Sequence, residues 1–120
     1  MANPNIVAVS DIRAKTAGLA LTTSTQTIVT NSSGSNKIFK INSLIVANIN
    51  GSSPADVTVG VLKNGTTEYR LAYTITVPSD ATLVVISKDT GIYLEENDSI
   101  RCFASANSYL EAICSWEEIA

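Results

Sequence analysis

The chain reads as a series of short β-branched runs, each ended by a cluster of Gly, Pro, Asn, Asp or Ser. The 10 Val, 13 Ile and 13 Thr make 36 of its 120 residues. Such side chains lose rotamer freedom on a helix and pack well on a pleated sheet, which argues against a mostly helical fold. Strand-like runs fall at about 12–22, 25–30, 37–49, 55–62, 66–77, 81–87, 92–95, 99–106 and 109–117. No window of a dozen residues holds a clean helical stripe. The pattern predicts an all-β fold, an antiparallel β-sandwich that is jelly-roll-like, with about eight or nine strands. At 120 residues one domain is expected, large enough to bury roughly two thirds of its unfolded surface. Residues 1–10 lack period and caps. The expected division is an N-terminal arm over 1–12 and a single sandwich domain over 13–120.

Two hairpins follow from local pattern. Val57, Val59 and Val61 alternate with Asp56, Thr58 and Gly60. The return run places Tyr69, Leu71 and Tyr73 on one face and Glu68, Arg70 and Ala72 on the other. A two-residue Asn64-Gly65 turn would set Val59 opposite Arg70. A three-residue loop from Lys63 to Gly65 sets Val59 opposite Tyr69 and Val57 opposite Leu71. Register follows the buried face, so the longer loop is expected, with Gly65 left-handed. Val57, Val59, Val61, Tyr69 and Leu71 should then share one core face. In the last expected hairpin, Ile100, Cys102 and Ala104 share a face, as do Leu110, Ala112, Cys114 and Trp116. A three-residue turn there would set Cys102 opposite Cys114.

Several function classes are excluded or disfavoured. The chain has no histidine, which removes imidazole bases, the Ser-His-Asp and Cys-His arrangements and most catalytic zinc sites. Its 8 Lys and Arg are scattered, the formal charge is −3, and no nucleic acid partner is expected. The longest apolar runs, such as Leu83–Ile86, are far short of the roughly 18 residues that span a bilayer, so no membrane partner is expected. The first residues show neither the charged nor the apolar part of a signal peptide, which implies synthesis in a cytoplasm. The glycosylation-like triplets at Asn31, Asn64 and Asn97 are then chance matches. Charged residues are only 16% of the chain, and its polar remainder is Ser, Thr and Asn. A surface of that kind packs against other protein with little desolvation cost.

Candidate sites are few. Without export, Cys102 and Cys114 read as two buried thiols rather than a disulfide. Glu95, Glu96 and Asp98, with Asp89, offer oxygens of the type Ca²⁺ takes. They lack the spacing and glycine of a calcium loop, so a solvated loop is expected. Paired carboxylates for glycoside hydrolysis remain conceivable, but none sits in a cleft motif, and no enzyme activity, cofactor or metal is expected. The aromatic residues read as core or edge positions. Glu117 and Glu118 are candidate contacts to a basic partner surface, against a plainer reading as fraying exposed charge. Asn3, Pro4, Ile6, Val7 and Val9 of the arm are candidate contacts to a neighbouring protein.

Five segments, taken in order, resemble a known group. They are Ser43–Asn48, Val57–Val61, Val77–Leu83, Ile92–Ile100 and the closing Leu110–Ile119. Their order over roughly residues 19–119 resembles small all-β virion proteins of tailed phages, common in phages of cyanobacteria, of the capsid decoration or cement type. Relatives usually carry glycine where Asn97 stands and tyrosine where Trp116 stands. Asparagine tolerates the same left-handed turn. The resemblance implies no catalytic residues. It implies a virion location and a head decoration protein, expected as a homotrimer over junctions between major capsid protein subunits. A tail, neck or fibre-associated component is the alternative, and a carbohydrate-binding surface module is a third. The latter would need clustered exposed aromatics, and the chain has one Trp.

Overall fold

The structure is a computed structural model that describes residues 3–120. Met1 and Ala2, which the sequence assigns to the arm, lie outside the described residues. The strands are β1 (Ile12–Ala20), β2 (Gln26–Thr30), β3 (Ile38–Asn48), β4 (Ala55–Lys63), β5 (Thr67–Val77), β6 (Thr82–Ile86), β7 (Ile92–Leu94), β8 (Ser99–Ala104) and β9 (Leu110–Ile119). The runs read from sequence match them to within about two residues at each end. Among the described residues the helical segment is one 3-10 turn, Lys88–Thr90, and no helix is long and apolar enough to cross a membrane.

The strands form two antiparallel sheets. In the first, the order is β1-β9-β3, with β6 and β7 both on the far edge of β3; in the second it is β2-β8-β4-β5. The pairs nest. β4 pairs β5, outside that β3 pairs β6 and β7, then β2 pairs β8, and outermost β1 pairs β9. A long hairpin rolled until β3 meets β9 and β4 meets β8 gives this order, which is the jelly roll of two Greek keys. β7 lies against Phe39–Ile41 and β6 against Leu44–Ala47, so together they do the work of one strand. At the break between them, a Cβ on Gly91 would lie 2.9 Å from the Ile41 carbonyl oxygen. Only glycine lets the chain pass β3 this closely.

The core forms between the inner faces by alternation, interrupted in β3 by a bulge between Ile41 and Ser43. Ile100, Cys102 and Ala104 of β8 are buried, as are Leu110, Ala112, Cys114 and Trp116 of β9. Val57, Val59 and Val61 face them from β4, and Leu44, Val46 and Ile41 from β3. Trp116 stacks on Phe39 with ring centroids 6.3 Å apart. Burial of this apolar area drives the two sheets together at about 25 cal/mol per Å².

Two expected registers are corrected. β8 and β9 are not a hairpin, because they belong to different sheets and the chain crosses between sheets over residues 105–109. Cys102 therefore pairs with Val59 and Gln26, and Cys114 with Ala17 and Leu44, rather than with each other. Packed sheets stand about 10 Å apart, too far for a disulfide between Cα atoms. Both thiols are free and buried. Burial pushes the Cys102 thiol up to about 11, and burial with Cys102 nearby pushes Cys114 up to about 12.

The β4–β5 loop does have three residues, and Gly65 is left-handed at φ 69°, but the loop runs from Asn64 to Thr66. Val61 is then opposite Tyr69, and register shifts set Val59 opposite Ala72 and Val57 opposite Ile75. The valines are core, whereas Tyr69 is 63% and Leu71 38% exposed. β5 is a sheet edge with a neighbour on one side only; Ala72 and Val77 reach the core, and most of its other side chains are left uncovered.

Candidate interaction surfaces

The loops gather at two ends. One end holds the arm, residues 31–37, the β4–β5 loop and residues 95–98. The expectation of a solvated loop holds for Glu95 and Asp89, which are exposed, but not for Asp98 and Glu96. Asp98 is 1% exposed. Its Oδ1 accepts the Asn64 N–H at 2.8 Å, and its Oδ2 accepts the Glu95 N–H at 2.9 Å and Lys63 Nζ at 2.6 Å. The hydrogen bond to Asp98 raises the Lys63 ammonium above its ordinary pKa. Glu96 accepts the backbone N–H groups of Gly34 and Asn36 at 2.9 and 2.8 Å. Asn97 takes the left-handed conformation at φ 71° that its glycine-like position requires. These carboxylates tie loops of both sheets together. Among the described residues no group of three or more acidic or cysteine side chains is placed to hold a metal ion.

Two buried asparagines escaped the reading from sequence. Asn31 donates to the carbonyls of Lys37 and Leu94, and Asn48, at the other end, donates to those of Ser53 and Val77. Each staples a crossover between sheets to the strand it passes. Their sequence signal is weak: each is an Asn ending a strand run just before a Ser/Gly-rich loop.

The candidate contact residues are placed as follows. Asn3, Ile6 and Val7 are exposed, and Pro4 and Val9 are half-buried. Asn3 donates to Glu95 at 3.1 Å, while the Ser10 and Asp11 N–H groups donate to the Ala120 carbonyl at 2.8 and 3.2 Å. The arm is thus pinned at both ends, with Ile6 and Val7 uncovered between, 56% and 92% exposed. Glu117 and Glu118 do not fray, because β9 lies between β1 and β3. Glu117 accepts Asn42 Nδ2 at 3.2 Å. Glu118 is on the core-facing side of β9 and is buried; it accepts Trp116 Nε1 at 3.1 Å and pairs with Lys15 and Lys37, each at 3.3 Å. Burial opposes its ionised form, but the bonds from Trp116, Lys37 and Lys15 outweigh it and hold the carboxyl below its ordinary pKa.

The outer faces differ. On the first sheet, Gly18, Ile113, Ile45 and Val84 align across β1, β9, β3 and β6 as one apolar row. On the second, Glu68 bridges Arg101 and Arg70, and Arg70 lies 5.7 Å from the Tyr73 ring. A Cβ on Gly60 would come within 3.0 Å of Glu68, so glycine there makes room for the bridge.

No protein-family model matches the chain, and no curated protein matches it. Solved structures share its fold at low identity. A chain from the disulfide-linked pili of Bacillus endospore appendages is 15% identical, with TM-score 0.55 over 90% of this chain and 85% of that one. A chain from the acid-stable capsid of Helicobacter pylori bacteriophage KHP30 is 12% identical, with TM-score 0.53 over 94% and 90%. A pentameric capsid protein from metagenomic phage sequences is 17% identical, with TM-score 0.41 over 85% and 63%. The first two likenesses are of fold: the chain is a β-sandwich of a kind that a phage capsid and a spore-appendage pilus both contain.

Proposed function

We propose that the chain is a structural protein of a tailed-phage virion, acting as a head decoration protein across junctions between major capsid subunits. The observation that carries this reading is how its polar groups are used. Asp98, Glu96, Glu118, Asn31 and Asn48 are bonded within the molecule. Facing outward are strand edges, an apolar row and an arm. That is a surface for contact with protein, at little desolvation cost. The fold shared with the KHP30 capsid chain supports the same reading. Ligation to the assembled shell alone would stabilise it by mass action, without any chemical step. Ile6 and Val7, uncovered on the pinned arm, are the residues best placed to reach a neighbour.

Copy number in purified virions tests the proposal. Decoration requires on the order of hundreds of copies spread over a symmetric shell, whereas about six to eighteen copies would mark a tail, neck or fibre component and refute it. Shells that lack the protein should also lose resistance to heat. The likeness to the endospore appendage chain favours a second reading, a subunit of a surface filament. Filaments grown from the purified chain alone would support that one.

A further inference from the structure

We propose that Asn64 is a site of spontaneous covalent modification, where the side-chain amide cyclises onto the main chain, loses ammonia and ends as aspartate or isoaspartate. The reaction favours an asparagine with a small successor, because the successor's backbone nitrogen must reach the side-chain Cγ. Five asparagines precede Gly or Ser: Asn31, Asn42, Asn50, Asn64 and Asn107. The fold engages the amides of four. Asn31 is buried, donates to two carbonyls and accepts from Ser35 Oγ. Asn42 donates to Glu117, and Asn107 accepts the Thr23 N–H at 2.9 Å. Asn50, which also precedes a glycine, accepts from Ser52 N–H, Ser52 Oγ and Ser53 N–H at 2.9, 3.0 and 2.9 Å. Asn64 differs. It is exposed, and among the described residues only its backbone N–H is bonded, to Asp98. The Gly65 N–H has no acceptor among them either.

Asn64 and Gly65 both hold left-handed backbones, at φ 53° and 69°, in a loop closed by one backbone bond, Thr66 N–H to the Lys63 carbonyl at 3.0 Å. Opening that turn bond lets the Asn64–Gly65 link rotate while the Asn64 N–H stays on Asp98 Oδ1. The Gly65 nitrogen then attacks Asn64 Cγ. A bond forms between them, the Cγ–Nδ2 bond breaks, and Nδ2 leaves as ammonia, taking up the proton that Gly65 loses. Water opens the cyclic imide. Opening at Cγ gives aspartate, and opening at the main-chain carbonyl gives isoaspartate, whose main chain is longer by one carbon. Water is the only co-reactant. Either product adds a carboxylate to the cavity that Asn64 lines with Asn3, Glu95 and Glu96. Like charge is thereby added where Asn3 pins the arm to Glu95. Isoaspartate also lengthens the loop between Lys63 and Thr67, the pair at which β5 begins. The arm-bearing end therefore loosens with age, whether or not the chain decorates a shell.

Ageing the full chain in mildly alkaline buffer, folded and in urea, and following both Asn-Gly peptides by mass spectrometry tests this. In the folded protein the Asn64 peptide should gain one mass unit at least about tenfold faster than the Asn50 peptide, a factor equivalent to about 1.4 kcal/mol. In urea the two rates should come within about threefold of each other, because neither amide then has folded partners. An Asn64 that stays intact in the folded protein, a folded-state ratio below about tenfold, or a ratio that persists in urea would overturn the proposal. Asn64→Gly suits the left-handed backbone and has no amide to lose. Amide exchange at residues 64 and 66 should quicken in aged wild type and stay unchanged in the variant aged alongside it. Equal change in both, or none in a fully converted wild type, would overturn the link between this reaction and loosening of the loop.

Discussion

Asp98 is the residue whose replacement most sharply tests the account of the arm-bearing end. Its carboxylate is enclosed, and both oxygens accept: one takes the Asn64 N–H, the other takes the Glu95 N–H and Lys63 Nζ. Asparagine has the same shape but exchanges one acceptor for a two-proton donor. In either amide orientation at least one backbone N–H then faces an NH₂ group. An orphaned buried donor costs about 1–3 kcal/mol, and loss of the charge on the remaining bonds adds to this. Lys63 is 40% exposed and recovers water, so its share is discounted. Asp98→Asn should therefore cost about 2–3 kcal/mol and Asp98→Ala about 3–4 kcal/mol. Lys63→Met, which leaves both backbone bonds intact, should cost about 1 kcal/mol. For a domain of this size the Asn variant should melt roughly 6–15 °C below wild type. Urea unfolding followed by circular dichroism gives the free energies, and the m-value should not change. An Asp98→Asn variant within about 0.5 kcal/mol of wild type, or a Lys63→Met variant more damaging than it, would refute the assignment of both oxygens.

Three further outcomes are expected. Glu118 has its folded pKa below the ordinary 4.5, so it contributes stability that is complete above 4.5 and lost as pH falls through the folded value. The stability difference between wild type and Glu118→Gln should shrink from about pH 5 to pH 2, and a difference flat across that window would contradict the pairing. Cys102 and Cys114, pushed up to about 11 and about 12, should resist a thiol reagent at about pH 8 until the protein is unfolded, when both react. Rapid labelling of the native protein would count against their burial. Gly91→Ala should cost about 1–3 kcal/mol by forcing β7 off β3. Amide exchange should then quicken at Phe39–Ile41, with β8 and β4 unaffected; uniform protection would show that the close passage at Gly91 carries no constraint.

Strand positions were legible because the period-2 pattern and the turn residues are local. Which sheet a strand joins is not local. Cys102 and Cys114 both sit at core-facing positions, and that parity is the same for neighbours in one sheet and for residues facing across two. The same ambiguity explains β5. Tyr69 and Leu71 alternate as core residues do, but nothing in a run of sequence states that its strand is an edge. Glu118 was misjudged although its parity was visible: it follows Leu110, Ala112, Cys114 and Trp116 on the inward side. A charge in that series signals an internal partner, which Lys15 and Lys37 provide. Asp98 and the two stapling asparagines depend on loops that meet only after the roll has closed, so no local run of sequence contains their roles.

The nesting of strand pairs has a mechanical consequence. The outermost pair, β1 with β9, joins the two ends of the described chain, with Ile12 against Ile119 and the Ala120 N–H bonded to the Asp11 carbonyl. Ladder bonds in an antiparallel pair run perpendicular to the strands. A pull that separates the two ends therefore meets those bonds one pair at a time and unzips β1 from Ile12 onward. Tension applied along the strands, pulling β1 and β9 from opposite ends, meets them all at once. A load carried through the two ends of the chain would draw on the weakest direction of the molecule, and a load carried along its strands on the strongest.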